Sequence, residues 1–342
     1  MLAARGNTMA EISPDLFINT VLGYQKTAAL KAASALDLFT VISQVDGDLD
    51  RIAKGTGASV RGVRILCDYL TIHGFLEKDE TRYRLTEATE LFLTKTSPAF
   101  MGSIIDFLAA PEMISLWLDG DPASFVRNGG STGLANIASD HPVWVKFAEA
   151  MVPFIRPVAA ALAEKVAASS TPPHRVLDIA AGHGLFGISV AQALPQAEIT
   201  AIDWQPVLAV AKRNAAAAGI ADRYHALPGS AFEVEWGQDF DLVLLTNFLH
   251  HFDRKTCVGL LEKARKCLNP KGRVLAAEFV PNEDRVSPPF PAMFSFMMLG
   301  STPHGDAYTA RELEEMARQA GFQKISVEPV PPTPQSFVTF EQ

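Results

Sequence analysis

A glycine-rich loop lies between an apolar run and a helical pattern. Its residues, Gly182-His183-Gly184-Leu185-Phe186-Gly187, have the G-x-G-x-x-G spacing of loops whose backbone closely approaches a nucleotide. Asp203 ends the next predicted strand, 19 residues after Gly184, where a carboxylate can bind two ribose hydroxyls. Taken alone, Gly182, Gly184 and Asp203 predict a dinucleotide site.

Asp178 argues against a dinucleotide. It lies in the predicted strand 176–179, four residues before Gly182, and a carboxylate at the mouth of this loop repels a pyrophosphate and attracts a cation. Unit charges about 4 Å apart interact by roughly 4 kcal/mol at an effective dielectric of about 20, which is enough to decide the class of ligand. S-adenosylmethionine has the required adenosine, ammonium and sulfonium. Asp178 can also cap the loop backbone, and the two roles are compatible.

Side chains near the predicted nucleotide site have two interpretations each. Trp204 follows Asp203 and can stack on adenine or pack in the core. Ser230, Ala231 and Phe232 follow the third predicted strand, where they can line the adenine edge or pack among themselves.

A histidine and a carboxylate follow neighbouring predicted strands. The fourth strand, near 240–246, runs into Asn247 and then His250, and the fifth strand ends at Glu278. Carboxyl ends of parallel strands face the ligand crevice, so His250 and Glu278 suit a general base and the group that orients it. A phenol has a pKa of about 10 and histidine about 6.5, so complete proton transfer before reaction costs roughly 5 kcal/mol. Deprotonation should therefore accompany attack on an electrophilic methyl group.

The same turn has less specific interpretations. One of the tandem histidines, His250 and His251, is expected to cap or pack at the helix start. A metal site from these histidines and Asp253 lacks a nearby acidic cluster, so we predict no metal. The apolar segment 288–300 can be core, or can wall a flat apolar substrate, and we expect both roles among its residues. Its proposed pocket residues, with two from an earlier helix, are Met293, Phe294, Met297, Phe147 and Met151.

Strands alternating with helices over 175–320 must position these residues. This succession predicts a parallel sheet covered on both faces. The tail runs 324–328 and 337–340 are joined by a turn too short for a crossover helix, so they should pair antiparallel at one edge.

The amino-terminal part has a different pattern. Residues 12–45 are predicted to be helical, and their alanine-rich part 28–38 requires cover from a partner subunit. Short helices at 48–56 and 60–73 and a hairpin follow, which is the order of a winged helix. Such a module can bind DNA or mediate dimerisation. The second short helix offers only Arg61 and Arg64 as cations, so dimerisation is favoured.

Composition excludes several classes of protein. The 342 residues are 48% hydrophobic and 20% charged, which is typical of a globular chain with more than one domain. Thirty Lys and Arg against 38 Asp and Glu give a net charge of −8, which argues against general binding of nucleic acid or anionic membranes. Three scattered cysteines predict reduced thiols. Without a membrane-length apolar run or a signal-peptide pattern, a cytoplasmic location is expected.

With these residues in view, the chain resembles, over nearly its whole length, the small-molecule S-adenosylmethionine-dependent O-methyltransferases of the plant caffeate and bacterial polyketide type. The resemblance implies a dimerisation winged helix over 1–100, connecting helices over 101–170 that form part of the substrate pocket, and a class I methyltransferase domain over 171–342. That domain is Rossmann-like α/β, with a mostly parallel seven-stranded sheet and an antiparallel C-terminal hairpin.

The resemblance also implies roles for particular residues. Asp178, Gly182 and Gly184 resemble the cofactor loop of the family, and Asp203 resembles its ribose acid. The segment Asn247 to Cys257 resembles the one that carries the catalytic histidine, which falls on His250.

Glu278 falls on one of the acids that flank that histidine. Phe147 and Met151 match positions that sandwich the substrate. Tyr24 to Ile42 resembles the dimerisation helix, which also closes the pocket of the partner.

Two positions depart from the family pattern. The family's second acid beside the catalytic histidine corresponds to Ala307 in this chain, with Asp306 one place away. The family's acid near adenine corresponds to Ser230. Some relatives with this fold carry out hydroxylation or pericyclic chemistry instead of methylation.

The resulting hypothesis is a homodimeric O-methyltransferase that uses S-adenosylmethionine and acts on a hydroxyl of a hydrophobic, aromatic or polyketide-like compound, with His250 as base. Its rivals are a methyltransferase-like enzyme with non-methyl chemistry, a DNA-binding regulator and an NAD-dependent dehydrogenase.

Overall fold

The computed structural model describes residues 13–119, 121–133 and 141–342, and it divides into two compact units between Ile105 and Asp106. Residues 1–12 lie outside the described residues. They include Ile12, where the first helix is predicted to start, and the amino-terminal residues for which no signal peptide is predicted. The finer division of the second unit at 170/171 stays a proposal.

The first unit is helical, with one small hairpin. Its helices begin at polar caps where the chain offers them; for example, Asp48 accepts a hydrogen bond from the Arg51 N–H, and Ser59 accepts one from the Gly62 N–H. The elements are α1 (Asp15–Val21), α2 (Gly23–Ala35), α3 (Leu38–Gln44), α4 (Leu49–Thr56), α5 (Val60–Ile72), β1 (Leu76–Asp79), β2 (Arg82–Leu85) and α6 (Glu87–Leu93).

The prediction of one helix over 12–45 was wrong in its continuity. Three helices occupy the described part of that range, because the chain turns at Leu22 and because Asp37 has the left-handed φ of 50°. Helices α4 and α5 and the antiparallel hairpin β1–β2 follow the predicted order, and Arg64 on α5 is engaged by Asp68 at 3.0 Å.

Helices open the second unit. They are α7 (Ile104–Leu108, which spans the division), α8 (Pro111–Ile114), a π-helical turn (Ser115–Asp119), α9 (Pro122–Asn128), α10 (Pro142–Ala150) and α11 (Val152–Ala167). Proline at the start of α8, α9 and α10 suits the first helical turn, where a backbone N–H has no intrahelical acceptor.

A seven-stranded sheet with the order β5-β4-β3-β6-β7-β9-β8 forms the centre of the second unit. Strands β3 to β7 pair parallel, and β9 pairs antiparallel with both β7 and β8. The predicted sheet and its antiparallel edge hairpin are therefore confirmed. The strands are β3 (Arg175–Ile179), β4 (Glu198–Asp203), β5 (Tyr224–Pro228), β6 (Phe240–Thr246), β7 (Leu268–Glu278), β8 (Lys324–Pro329) and β9 (Ser336–Glu341).

Helices cover both faces of this sheet, and each face has its own apolar core. One core joins α11 and α12 to the sheet, and the other joins α14 and α16 to the opposite face. Alternation along β7 sends Leu275 to the first core and Val274 to the second. The remaining helices are α12 (Leu185–Ala193), α13 (Gln205–Ala217), α14 (Arg254–Cys267), α15 (Pro289–Ser301) and α16 (Ala310–Gln319), with 3-10 turns at Ala221–Arg223 and Leu249–His251.

Helix α15 has no counterpart among the elements predicted from the sequence. Its apolar residues form a nearly continuous run, so they give no helical periodicity. Across the described residues, no helix is long and apolar enough to cross a membrane.

Candidate active site

The glycine loop connects β3 to α12, and its glycines are required for close approach. Gly182 and Gly184 have left-handed φ values of 58° and 78°. A Cβ at Gly184 would lie 2.7 Å from the Tyr224 hydroxyl, and one at Gly187 would lie 2.7 Å from Ile199 Cγ2. The loop therefore fits against the sheet only with glycine at these positions.

Asp178 lies beneath this loop and not at its mouth, which corrects the sequence-based expectation. Its side chain is fully buried, and its Oδ2 accepts a hydrogen bond from the Gly187 N–H at 3.1 Å. Burial raises the pKa of Asp178 to about 7, although the Gly187 N–H opposes this shift. Its Oδ1 is buried without a hydrogen-bond partner in the described chain. The position follows from strand alternation, which turns this side chain towards the first turn of α12.

Asp203 lies at the end of β4 and holds the loop from the other side. Its Oδ2 accepts from the Gly182 N–H at 2.8 Å, and its Oδ1 accepts from the Trp204 N–H at 2.7 Å. Burial raises the pKa of Asp203 to about 6, against the effect of these two N–H groups. The carboxylate thus shapes the loop and remains partly accessible.

The residues predicted to line the adenine end of the cofactor site each contact a different part of the protein. The indole of Trp204 packs against Trp144 at 5.2 Å between ring centroids. Ser230 Oγ accepts from the Phe232 N–H, and the Ala231 carbonyl accepts from Lys263 and from the Trp236 indole. Phe232 is half-exposed and contacts Phe252 edge-on at 5.1 Å.

His250 and Glu278 are brought together at the carboxyl ends of β6 and β7. The His250 Nδ1 lies 2.5 Å from the Glu278 Oε2, and the two residues are 4% and 3% exposed. The Glu278 Oε1 accepts from the N–H groups of Phe248 and Leu249, at 2.9 and 2.8 Å. These bonds fix the carboxylate, which directs the proton of the imidazole to Nδ1. The other ring nitrogen, Nε2, has no hydrogen-bond partner within the described ranges.

The neighbours of this pair have other partners. Burial, with a smaller contribution from His250, holds the pKa of His251 well below its usual range, so His251 is neutral. The Asp306 carboxylate interacts with Arg285 at 3.4 Å and accepts from the Ala307 N–H. In the described part of the chain, Glu278 is therefore the carboxylate that the imidazole contacts. Among the described residues, no group of three His, Cys, Asp or Glu side chains has an arrangement that would hold a metal ion.

Helix α15 places aromatic and methionine side chains beside His250. The Phe294 ring lies edge-on to the imidazole at 4.9 Å and packs on Phe279 at 4.1 Å. Met297 packs with the cluster that contains Phe107 and Met151, whereas Met293 is 63% exposed. Phe147 on α10 contacts Phe107 edge-on at 5.0 Å. The predicted residues thus contribute both to packing and to accessible apolar surface.

Asn247 begins the turn that leads to His250, and it has two unusual features. Its φ of 52° is left-handed, which is uncommon for a residue other than glycine, and its Oδ1 is buried without a partner among the described residues. Its N–H donates to the Ala277 carbonyl, which ties the turn to β7. Strain and an unmatched polar atom at the end of a central strand are typical of a ligand site.

Sequence reasoning missed three residues that shape this region. Phe279 follows Glu278 directly, and its aromatic type after a strand was the available signal. Tyr224 and Gly305 gave no signal, because each matters through a contact with a residue distant in the chain, Gly184 and His250 respectively.

Comparisons with known proteins agree over most of the chain. An O-methyltransferase domain family matches residues 118–323, and an O-methyltransferase dimerisation domain family matches residues 18–95. The 3-hydroxy-5-methyl-1-naphthoate 3-O-methyltransferase of Streptomyces sahachiroi is 28% identical over 320 residues, covering 91% of this chain and 90% of that protein. The phenazine O-methyltransferase of Lysobacter antibioticus is 24% identical over 273 residues, covering 78% of each.

Solved structures are similar along almost the entire chain. A Nostoc punctiforme PCC 73102 protein, described as a candidate O-methyltransferase, is 45% identical with a TM-score of 0.92, covering 97% of this chain and 100% of that one. Human N-acetylserotonin methyltransferase with S-adenosylmethionine is 21% identical with a TM-score of 0.81, covering 98% and 99%, and this likeness supports the fold alone. From the family matches, the chain belongs to the O-methyltransferase family and is an S-adenosylmethionine-dependent O-methyltransferase with an amino-terminal O-methyltransferase dimerisation domain.

Proposed function

We propose that the protein methylates a hydroxyl group of a hydrophobic aromatic or polyketide-like compound, with His250 as the general base. The contact between His250 Nδ1 and Glu278 Oε2 carries this proposal. Because Glu278 engages Nδ1, the lone pair of the neutral ring is on Nε2, which is the nitrogen that can receive the proton of a substrate hydroxyl.

The cofactor region fits S-adenosylmethionine by its shape and by its unmatched acceptors. Added Cβ atoms at Gly184 and Gly187 would clash with Tyr224 and Ile199, so the loop packs tightly on the sheet, and glycine adds no side chain that would keep a ligand from its backbone. Asp203 would hold the ribose, and the buried Oδ1 atoms of Asp178 and Asn247, which have no partner among the described residues, would be acceptors for a cationic ligand. We propose that Gly182 and Gly184 approach the cofactor backbone-first, and that Trp204, Ser230, Ala231 and Phe232 line its adenine end.

When bound, S-adenosylmethionine would supply an electrophilic methyl group, and its sulfur would keep the electron pair of the broken carbon–sulfur bond as the neutral thioether of S-adenosylhomocysteine. Our proposal for the residues is that Nε2 of His250 takes the hydroxyl proton as the substrate oxygen forms its bond to the methyl carbon. Glu278 then stabilises the imidazolium and preserves its orientation. The rings of Phe294 and Phe279, centred 4.9 and 6.1 Å from the imidazole, would limit the access of water to it.

The substrate class rests on the apolar lining and on the names of relatives. Met293, Phe294, Met297, Phe147 and Met151 offer flat or adaptable apolar contacts. Two of the relatives above are named for a hydroxynaphthoate and for a phenazine as the compounds they methylate. We therefore propose an aromatic hydroxyl compound of similar size.

We also propose that the enzyme is a homodimer. Helix α1 has no buried residue, and Leu16 and Phe17 are 83% and 68% exposed, although both are large and apolar. Leu16 and Phe17 lie immediately before residue 18, where the match to the dimerisation domain family begins. A second copy of the chain is the partner that such a surface requires. A Phe17→Asp variant should sediment as a monomer, whereas a wild-type mass for this variant would contradict the proposal.

A product assay tests the proposed reaction. The enzyme with S-adenosylmethionine and a panel of hydroxynaphthoates and other phenols should release S-adenosylhomocysteine together with a methyl ether. Binding of S-adenosylmethionine without either product, for every phenol that binds, would favour the alternative of non-methyl chemistry.

A further inference from the structure

The segment 302–308 contacts the main chain of His250. The Asp306 N–H donates to the His250 carbonyl at 3.0 Å. At Gly305, an added Cβ would lie 2.3 Å from the His250 carbonyl oxygen and 3.0 Å from the His251 carbonyl carbon. Gly305 does not have a left-handed φ, so the contact with His250, and not backbone freedom, is what requires glycine here.

Hydrogen bonds hold this segment in one conformation. The Thr302 Oγ1 accepts from the Gly305 N–H at 2.8 Å and donates to the Met298 carbonyl at 2.7 Å. At the other end, the Tyr308 hydroxyl donates to the Phe252 carbonyl. Thr302 and Tyr308 are each 6% exposed, so these bonds are shielded from water.

The same segment continues from α15, the helix that lines the apolar region. Phe294 on α15 contacts the imidazole of His250 edge-on at 4.9 Å. One turn after Met298, the chain leaves α15 at Thr302 and reaches the carbonyl of His250 three to four residues later. Helix α15 therefore contacts His250 through the ring of Phe294, and the segment 302–308 that follows it contacts the main chain of the same residue.

We propose that Thr302 and Gly305 are positioning residues for His250. They fix the distance between the imidazole and the apolar surface of α15, so that a substrate bound on α15 presents its hydroxyl to Nε2. This inference rests on the proposed role of His250 as base. A displacement of about 1 Å between reacting groups can lower a rate about 100-fold without weakening binding.

Three variants and one control test the proposal. Gly305→Ala inserts a methyl group against the His250 carbonyl, Thr302→Val removes both Thr302 hydrogen bonds at nearly constant volume, and Thr302→Ser restores them. The control is Gly259→Ala, on an exposed face of α14 where no atom lies within 4 Å of the new Cβ.

We expect Gly305→Ala and Thr302→Val to lower kcat at least tenfold and to shift its pH profile, with the Kd for S-adenosylmethionine by calorimetry and the substrate KM unchanged. Thr302→Ser should recover most of kcat, and Gly259→Ala should keep it. If Gly305→Ala does not fold, the comparison of kcat between Thr302→Val and Thr302→Ser tests the proposal without it.

Wild-type kcat in Thr302→Val, or a loss of kcat and cofactor affinity in parallel with Tm, would overturn the positioning role. His250→Ala separates the two proposals. If His250→Ala is inactive and Thr302→Val is fully active, only the positioning role fails; if His250→Ala retains full activity, the base assignment fails first.

Discussion

The Glu278 carboxylate makes three hydrogen bonds with one turn of chain, one to Nδ1 of His250 at 2.5 Å and two to the backbone N–H groups of Phe248 and Leu249. Both Glu278 and His250 are almost completely buried. The two backbone bonds hold the carboxylate in place independently of the imidazole. The side chain of His250 therefore has one favoured tautomer and one favoured orientation. This arrangement supports a base that acts through Nε2.

Replacement of His250 should affect chemistry and spare cofactor binding. We expect His250→Ala to reduce kcat about 10²–10⁴-fold, the usual contribution of a positioned general base, and to leave the Kd for S-adenosylmethionine within about twofold. Stopped assays of S-adenosylhomocysteine release and calorimetry provide the two values. The matched control is His251→Gln, whose kcat should fall far less. Equal losses in both variants would argue for packing and against a base.

Replacement of Glu278 by glutamine should favour the wrong tautomer. In Glu278→Gln, the amide oxygen can still accept from the Phe248 and Leu249 N–H groups, but the amide nitrogen then donates to Nδ1 of His250, which moves the ring proton to Nε2. We expect kcat to fall at least 100-fold with little change in Tm. Glu278→Ala should also lower Tm, because the partly buried Phe248 N–H and the buried Leu249 N–H lose their acceptor, at about 1–3 kcal/mol for the buried group. Wild-type kcat in Glu278→Gln would refute the orienting role.

Cofactor affinity should increase with pH through the titration of Asp203. Burial raises the pKa of Asp203 to about 6, so the ligand-free carboxyl is largely protonated at pH 5 and ionised at pH 8. A cation and ribose hydroxyls favour the ionised form, so the Kd for S-adenosylmethionine should be about tenfold weaker at pH 5 than at pH 8. Calorimetry at both values measures this. Asp203→Asn should bind weakly at both pH values, whereas Glu198→Gln at the other end of β4 should keep the wild-type dependence.

The ligand-free enzyme should lose stability as pH rises from about 4 to about 7, because of Asp178. Burial raises the pKa of Asp178 to about 7 in the folded chain, above the ordinary value near 3.8. A carboxyl with a raised folded-state pKa gives its full contribution below the unfolded pKa and loses it as pH rises through 7. Asp178→Asn keeps an acceptor for the Gly187 N–H and should flatten this part of the profile of Tm against pH. An unchanged slope would show that another group is responsible.

Asn247 should contribute through its side chain and not through its backbone. Glycine adopts the φ of 52° without strain, so Asn247→Gly should leave Tm unchanged or raise it. Loss of an acceptor for the ammonium of S-adenosylmethionine should weaken its Kd about tenfold, as expected for a hydrogen bond to a charged group. The control is Asp239→Gly, an exposed residue that also has a left-handed φ, of 63°. If both variants bind the cofactor as the wild type does, Asn247 has only a structural role.

Much of the fold was predictable from local patterns. The alternation of apolar runs with helical segments gave the parallel sheet, and the short turn between 329 and 336 required the antiparallel edge hairpin. Where apolar residues ran without interruption, as in α15, the pattern carried no period and the element could not be assigned. At Asp37 the sequence pattern predicted too long a helix. A single residue with a left-handed φ divides a region whose apolar residues recur at helical intervals throughout.

In the site, local patterns were enough to predict which chemical groups lie at which strand ends: a carboxylate at the end of β4, a histidine after β6 and a glutamate at the end of β7. Parallel strands carry their carboxyl ends to one edge, so this order alone brings His250 and Glu278 together. Three features required the three-dimensional contacts: Asp178 lies beneath the loop, the Asp306 carboxylate is engaged by Arg285, and Gly305 lies against the His250 carbonyl. These outcomes depend on contacts between segments far apart in the chain, which no local pattern of residues encodes.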